Sequence, residues 1–350
     1  MGKSGNSIQC RILGEVDFPA WDRFVNGHPK ASIYHLSVWR HILQQAFGKS
    51  WYVAGAFQDG EIRGGIPVVH LKSLFFGNFL VSMPYVNYGG LLADDDTLGD
   101  PLLDHLIQLG EKLKVSYIEF RHIQSFYSQL PVRDEKVSMW LSLPGTVAEL
   151  FQVFPSKLRA QVRKGEKNAL GVRIGQVELL DEFYEVFARN MRDLGTPVYS
   201  KTFFRLILET FPAGARLVVI NKKSDLPVAA GFLLGYRDRL EIPWASSLRQ
   251  YNSLQGNMYL YWNCLKFACE QGYRIFDFGR STFGSSTFKF KEQWGAQPIQ
   301  HYWHYHLNSS VGLPKLNPQN PKFFLAIQLW KQIPLWISKR VGPALARHLP

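Results

Sequence analysis

An acid, a guanidinium and two ammonium groups crowd into one aromatic-rich stretch: Phe276-Asp277-Phe278-Gly279-Arg280-Ser281-Thr282, followed after a small-residue loop by Phe288-Lys289-Phe290-Lys291-Glu292-Gln293-Trp294-Gly295. Groups that hold charge and move protons, set beside glycines and hydroxyls, are the makings of a ligand-binding or catalytic cleft. Phe276 and Phe278 alternate with Asp277, so a strand is predicted to end here with its carboxylate opposite the two rings. Gly279, Gly284, Ser285 and Ser286 then predict a bending loop that carries Arg280, Ser281 and Thr282 at a strand's carboxyl end, where open α/β sheets bind ligands. The alternation in Phe288-Lys289-Phe290-Lys291 predicts a second extended segment with rings on one face and both ammonium groups on the other. A plainer reading stands beside this one: Asp277 caps the turn, Arg280 pairs with it, and the lysines keep an edge strand from aggregating.

The elements that must position these residues occur twice. Ser32 to Arg40 with Ile42, Leu43 and Phe47 parallels Pro197 to Arg205 with Ile207, Leu208 and Phe211, each reading as a turn, an N-cap and an amphipathic helix. A strand pair follows in both halves, Trp51 to Gln58 with Ile62 to His70 around Asp59-Gly60, then Arg216 to Asn221 with Val228 to Tyr236. Met83-Pro84-Tyr85 corresponds to Ile242-Pro243-Trp244, each expected at a strand end. A helix comes next in each half, Leu98 to Lys114 and Leu254 to Gln271. Each helix leads to a short strand with an acid among apolar residues, Tyr117 to Arg121 and Arg274 to Phe278. This order predicts an α+β fold of two tandem acyltransferase-like domains, 1–143 and 151–307, with 308–350 as linker and basic amphipathic tail. The first copy lacks a counterpart of the Lys289/Lys291 segment, which places the chemistry in the second.

At 350 residues, 46% hydrophobic and 14% aromatic, the chain is folded rather than disordered and long enough for two cores. Cys10, Cys264 and Cys269 are widely spaced and no signal peptide is apparent, which predicts a cytoplasmic protein without a disulfide framework or zinc site. His301, His304 and His306 lie near one strand without ligand spacing, so no metal is expected. The net charge of +12 favours a polyanionic partner, whether RNA, a nucleotide-linked sugar or an anionic membrane. Much of that charge lies in a helix-compatible run, Lys157 to Lys167, in which Lys157, Arg159 and Arg163 are candidate phosphate contacts or simply a solvated face. The tail, with Phe323, Phe324, Ile327, Trp330, Ile333, Trp336 and Ile337 beside Lys331, Lys339, Arg340 and Arg347, reads as an interfacial helix at the inner face of a membrane or one packed on the first domain.

The element order, the Pro155-Ser156-Lys157 opening of the basic helix and Phe290-Lys291-Glu292-Gln293-Trp294-Gly295 resemble the Fem transferases, which carry amino acids from aminoacyl-tRNA to peptidoglycan precursors on two GNAT-like domains. The run from Asp277 to Thr282 and its spacing to Phe290-Lys291 are most similar to the FemAB-like proteins of exosortase and exopolysaccharide systems. The resemblance spans residues 8 to 307. It implies a catalytic Phe290-Lys291 pair in which the ammonium offsets charge on the attacked ester, electrostatic catalysis worth a few kcal/mol. Asp277 or a substrate carboxylate would accept the amine proton. It further implies no permanently bound cofactor, an acyl donor that is aminoacyl-tRNA or acyl-CoA, and a cell-envelope glycan precursor as acceptor. Arg280, Ser281, Thr282, Trp244, Tyr199 and Tyr88 are the candidate substrate contacts. Tyr199 stands where muropeptide-handling members can carry a cation, His41 supplies no fixed charge, and the coiled-coil arm of some members is absent.

Two other functions fit the sequence. A CoA-dependent acyltransferase would seat pyrophosphate at Ser253-Leu254-Gln255-Gly256-Asn257-Met258, though only one glycine is present there. A non-catalytic scaffold of a polysaccharide assembly system would use Trp244, Tyr251, Tyr259, Tyr261, Trp262 and Trp294 to stack on sugars.

Overall fold

A computed structural model describes residues 8–74, 76–223, 225–308, 312–313 and 321–349; in the last segment side chains are described from Phe324 onward, so the Phe323 side chain is not described, and most of the Pro- and Asn-rich linker lies outside the described residues. By contact the chain divides into two units, Met1–Lys136 with Gln300–Lys315 and His348–Pro350, and Val137–Ile299 with Leu316–Arg347. Each is a mixed α/β layer structure around one sheet.

The two sheets have matching strand orders. In the first unit the order is Gln9–Ile12, Ser50–Gln58, Glu61–Ser73, Gly77–Val81, Tyr117–His122, Tyr302–Leu307 and Val132–Arg133, with Leu92–Ala93 paired to the third strand. In the second it is Gly171–Gly175, Ala215–Lys222, Leu226–Tyr236, Arg239–Ser247, Ile275–Thr282, Lys136–Ser142 and Gln297–Gln300. The first hairpin turns through Asp59 and Gly60 at φ 52° and 82°, the left-handed pair that a two-residue connection demands. The match also explains why a boundary near residue 143 fails. The sixth strand of each sheet comes from the other half of the chain, so 137–143 joins the second unit and 300–307 the first. Tyr302–Leu307 pairs antiparallel with Tyr117–His122 along its whole length, a partnership that local pattern cannot reveal.

The second unit carries helices on both faces of its sheet. Val147–Val153, Ser156–Lys167 and Gly256–Glu270 bury Leu150, Leu158, Val162, Leu260 and Leu265 against Val218, Ile220, Leu240 and Phe276. Leu180–Leu194 packs on the strands Leu226–Tyr236 and Arg239–Ser247. There Phe183, Phe187, Phe203, Phe204, Phe232 and Trp244 form a cluster with rings at edge-to-face separations such as 5.0 Å for Phe183 and Phe204. The helix Lys201–Thr210 starts where Ser200 accepts from the Phe203 N–H at 3.2 Å. The tail forms Pro321–Gln332 and Leu335–Ala346, which pack on Leu180–Leu194 of the second unit.

Candidate active site

In the second unit, Arg239–Ser247 and Ile275–Thr282 run parallel and pair only through Arg239↔Ile275, Leu240↔Phe276 and Glu241↔Asp277. One residue later the first of these strands bulges, because Ile242 and Pro243 together oppose Leu233 between the pairs Phe232↔Trp244 and Leu234↔Glu241. Proline has no N–H to give a ladder, and the extra residue bends its strand. Parallel pairing therefore stops at two buried carboxylic acids. Ile242-Pro243-Trp244 lies inside a strand that continues to Ser247, not at its end, since the far edge of that strand stays paired through Ser247↔Ala229.

The strand Ile275–Thr282 likewise runs on where a loop was expected, so Arg280, Ser281 and Thr282 belong to it. Gly279 takes φ 75°, a left-handed conformation that only glycine adopts cheaply. In a regular strand successive carbonyls point to opposite edges. The kink at Gly279 lets two consecutive carbonyls converge on one donor: Lys291 Nζ donates to the oxygens of both Gly279 and Arg280 at 2.9 Å.

The segment carrying Lys291 is helical, Ser286–Glu292, and not extended as its alternation predicts. Four alternating residues fit either period, and the deciding group is Ser285, whose hydroxyl accepts from the Phe288 N–H at 3.2 Å and caps the helix. Three residues on a helix return to the same face. Phe288 and Lys291 are thus both buried, while Lys289 is exposed and does not share the face of Lys291. The Phe290 ring packs edge-on to Tyr261 at 5.0 Å, and Tyr261 stacks on Phe278 at 5.6 Å. Trp294, buried just past the helix, closes this aromatic bed, which fixes where the ammonium lies.

Burial governs the electrostatics. Asp277 is completely enclosed, and loss of solvent raises its carboxyl above the usual range against the pull of the Arg239 guanidinium, the Gly279 N–H at 2.8 Å and the Lys291 ammonium. Lys291 is pushed down to about 8, first by burial and then by Arg280, while Asp277 and Glu241 oppose the shift. Two acids and three cations occupy this strand end. Arg239 and Glu241, which contribute to it, carry no sequence signal beyond lying in the strand opposite Asp277. Ser281 is buried, and its hydroxyl has no partner among the described residues.

The remaining predicted residues are elsewhere. Trp244 is core, with its ring 5.2 Å from Phe204 and 5.3 Å from Phe232. Tyr199 is half-buried against Phe203, its carbonyl accepting from the Tyr184 hydroxyl at 3.0 Å. Tyr88 is buried in the first unit against Tyr34 and His301. Arg159 donates to the carbonyls of Gln152 and Phe154 at 3.0 and 2.8 Å, capping the helix before its own. Arg163 lies over the Phe151 ring at 5.4 Å, and Lys157 is exposed.

The first unit repeats the strand end and then fills it. Its parallel ladder stops at Val81↔Glu119, the counterpart of Glu241↔Asp277. Glu119 accepts from Arg121 Nε at 2.7 Å, and Trp303 lies under that guanidinium at 4.5 Å. The backbone of 82–90 folds over the strand: Ser82 accepts from the Arg121 N–H at 2.7 Å and the Gly89 N–H reaches the Arg121 carbonyl at 3.2 Å.

These features define the fold class. Residues 155–292 match the family described as Acetyltransferase (GNAT) domain, and the sheet order seen twice is that of tandem GNAT-like units. The chain is similar in fold to three solved structures of low identity. The crystal structure of FemX superposes at TM-score 0.62 with 15% identity, covering 84% of this chain and 96% of that one. L-PGS from Bacillus licheniformis superposes at 0.54 with 13% identity, covering 90% and 97%. A tandem GNAT protein from the clavulanic acid biosynthesis pathway superposes at 0.55 with 11% identity, covering 87% and 100%. No curated protein matches the sequence.

Proposed function

We propose that the protein is an N-acyltransferase that transfers an aminoacyl group from aminoacyl-tRNA to an amine on a cell-envelope glycan precursor, of peptidoglycan or exopolysaccharide type, at the cytoplasmic face of the membrane. The observation that carries the proposal is the buried Lys291 ammonium, pinned by two strand carbonyls at the point where parallel pairing stops in a GNAT-like sheet. The fold likeness to FemX, and the absence from the Gln255-Gly256 turn of a glycine-rich phosphate cradle, support an aminoacyl-ester donor.

In this reaction the acceptor nitrogen forms a bond to the ester carbonyl carbon, and the carbonyl oxygen gains negative charge. The C–O bond then breaks and the leaving ribose oxygen takes up a proton. An ammonium has three N–H donors. Two hold Lys291 in place, which leaves one to face the developing oxyanion without reorganisation at the moment of reaction. Asp277 is enclosed out of reach of the amine, so its part in this reading is to favour the Lys291 ammonium; the proton that the amine loses passes, through a substrate carboxylate, to the leaving ribose oxygen. Ser281 and Arg280 offer the acyl group a hydroxyl and a guanidinium on the same strand.

A second reading, an acyl-CoA donor, is favoured by the GNAT match over residues 155–292. Both are tested by supplying labelled aminoacyl-tRNA or labelled acyl-CoA with an extract of envelope precursors and following label into the acceptor. Transfer from tRNA that drops by about 10²–10³ in Lys291→Met and survives in Lys289→Met supports the proposal. Transfer from acyl-CoA alone selects the second reading. Unchanged turnover in Lys291→Met makes the lysine structural, and transfer from neither donor leaves a scaffold.

A further inference from the structure

The outer faces of the two tail helices are apolar and basic without any balancing acid. On Pro321–Gln332, Phe324, Leu325 and Leu329 are 57%, 62% and 58% exposed. At about 100° per residue they share one side of the helix, while Ile327 turns inward, where a Cβ on Gly195 would come within 2.5 Å of it. On Leu335–Ala346, Ser338, Gly342 and Ala346 are buried at i, i+4, i+8, and Gly342 lies against Val198. The opposite side presents Trp336 at 66% exposure, with Val341 and Arg340. Lys339 pairs with Glu185, so its charge is anchored within the unit, whereas Arg340 faces outward.

Large apolar side chains are ordinarily scattered singly over a soluble surface, and five exposed on two short consecutive helices, Phe324, Leu325, Leu329, Trp336 and Val341, mark an interaction face. Charge selects the occupant. Glu292 is the last acidic residue, and the chain beyond it carries lysine and arginine alone. Tryptophan and phenylalanine favour the boundary between acyl chains and headgroups, and arginine beside them favours anionic lipid. No helix among the described residues is long and apolar enough to cross a membrane, so this surface would lie on the bilayer.

We infer that the tail face formed by Phe324, Leu325, Leu329, Trp336 and Arg340 docks the protein on an anionic membrane surface. This goes beyond the acyl-transfer reading and stands apart from it, since binding to vesicles needs neither donor nor acceptor. The full chain is incubated with phosphatidylcholine vesicles, with or without about 30% phosphatidylglycerol, and the bound fraction is measured by flotation. Binding should require the anionic lipid and weaken as salt rises. Leu325→Gln/Leu329→Gln/Trp336→Gln should reduce it at least tenfold, and Arg340→Glu severalfold. These positions are exposed, so both variants should keep the parent's melting temperature and solution mass. Equal binding to neutral and anionic vesicles, no binding, or no effect of the triple substitution overturns the inference. So does a dimer that the triple variant dissociates, which would make the face a contact between copies of the chain.

Discussion

Lys291 Nζ lies 2.9 Å from the carbonyl oxygen of Gly279, the same residue whose N–H donates to the Asp277 carboxylate at 2.8 Å. One peptide segment thus ties the two central titratable groups together, and anything that disturbs Gly279 is felt by both.

Lys291 is pushed down to about 8. As an ammonium that stabilises an oxyanion, it should lose effect on deprotonation, so kcat/KM should fall as pH rises through about 8. A neutral amine acting as base would make it rise instead. Asp277→Asn keeps an oxygen for the Gly279 N–H but removes the charge that favours the ammonium, so the falling limb should move to lower pH. A pH–rate profile of both proteins decides the sign.

Gly279→Ala forces a Cβ into left-handed backbone at a cost of about 1–2 kcal/mol. Urea unfolding should show that loss. Activity at saturating substrate should fall further than the lost folded fraction explains, because the two carbonyls no longer converge on Lys291.

The basic helix separates two kinds of charge. Arg159 caps the preceding helix through two carbonyls, so Arg159→Gln should destabilise the fold by about 1 kcal/mol. Lys157 and Lys164 are exposed, and Lys157→Gln/Lys164→Gln should leave the melting temperature unchanged while weakening RNA binding and flattening its salt dependence. Unaltered RNA binding would return the run to a solvated face.

The first unit should be acid-sensitive. His122 is held well below its ordinary range by burial and then by His304 and His35, and burial lowers His304 as well. Their Nδ1 atoms are 3.3 Å apart, so one must stay unprotonated to accept. Below about pH 6.5 the unfolded chain binds protons that the folded unit cannot, and stability falls as pH drops. Denaturant midpoints between pH 8 and 5 should show this decline, with a shallower slope in His122→Leu.

The sequence by itself determined the repeated order of elements and which charged groups lie near one another along the chain. Hairpins, caps and amphipathic helices are set by contacts within a few residues, so Asp59-Gly60, Ser200 and the acids Glu119 and Asp277 were all legible. So was the clustering of Asp277, Arg280 and Lys291. Only the tertiary structure decided how those residues meet. The exchange of 137–142 and 302–307 between sheets depends on pairing across more than about 130 residues. The arrival of Arg239 and Glu241 beside Asp277 depends on parallel register, which leaves no trace in either strand alone. The alternation at 288–291 fitted two periods, and the Ser285 cap with burial of Phe288 and Lys291 on one helical face selected the helix. Trp244, Tyr88 and Tyr199 are the residue types of substrate contacts, yet packing on neighbouring rings claims the first two fully and the third in part. Residue type states what a side chain is able to do, and burial by distant parts of the chain decides whether it meets a substrate or the core.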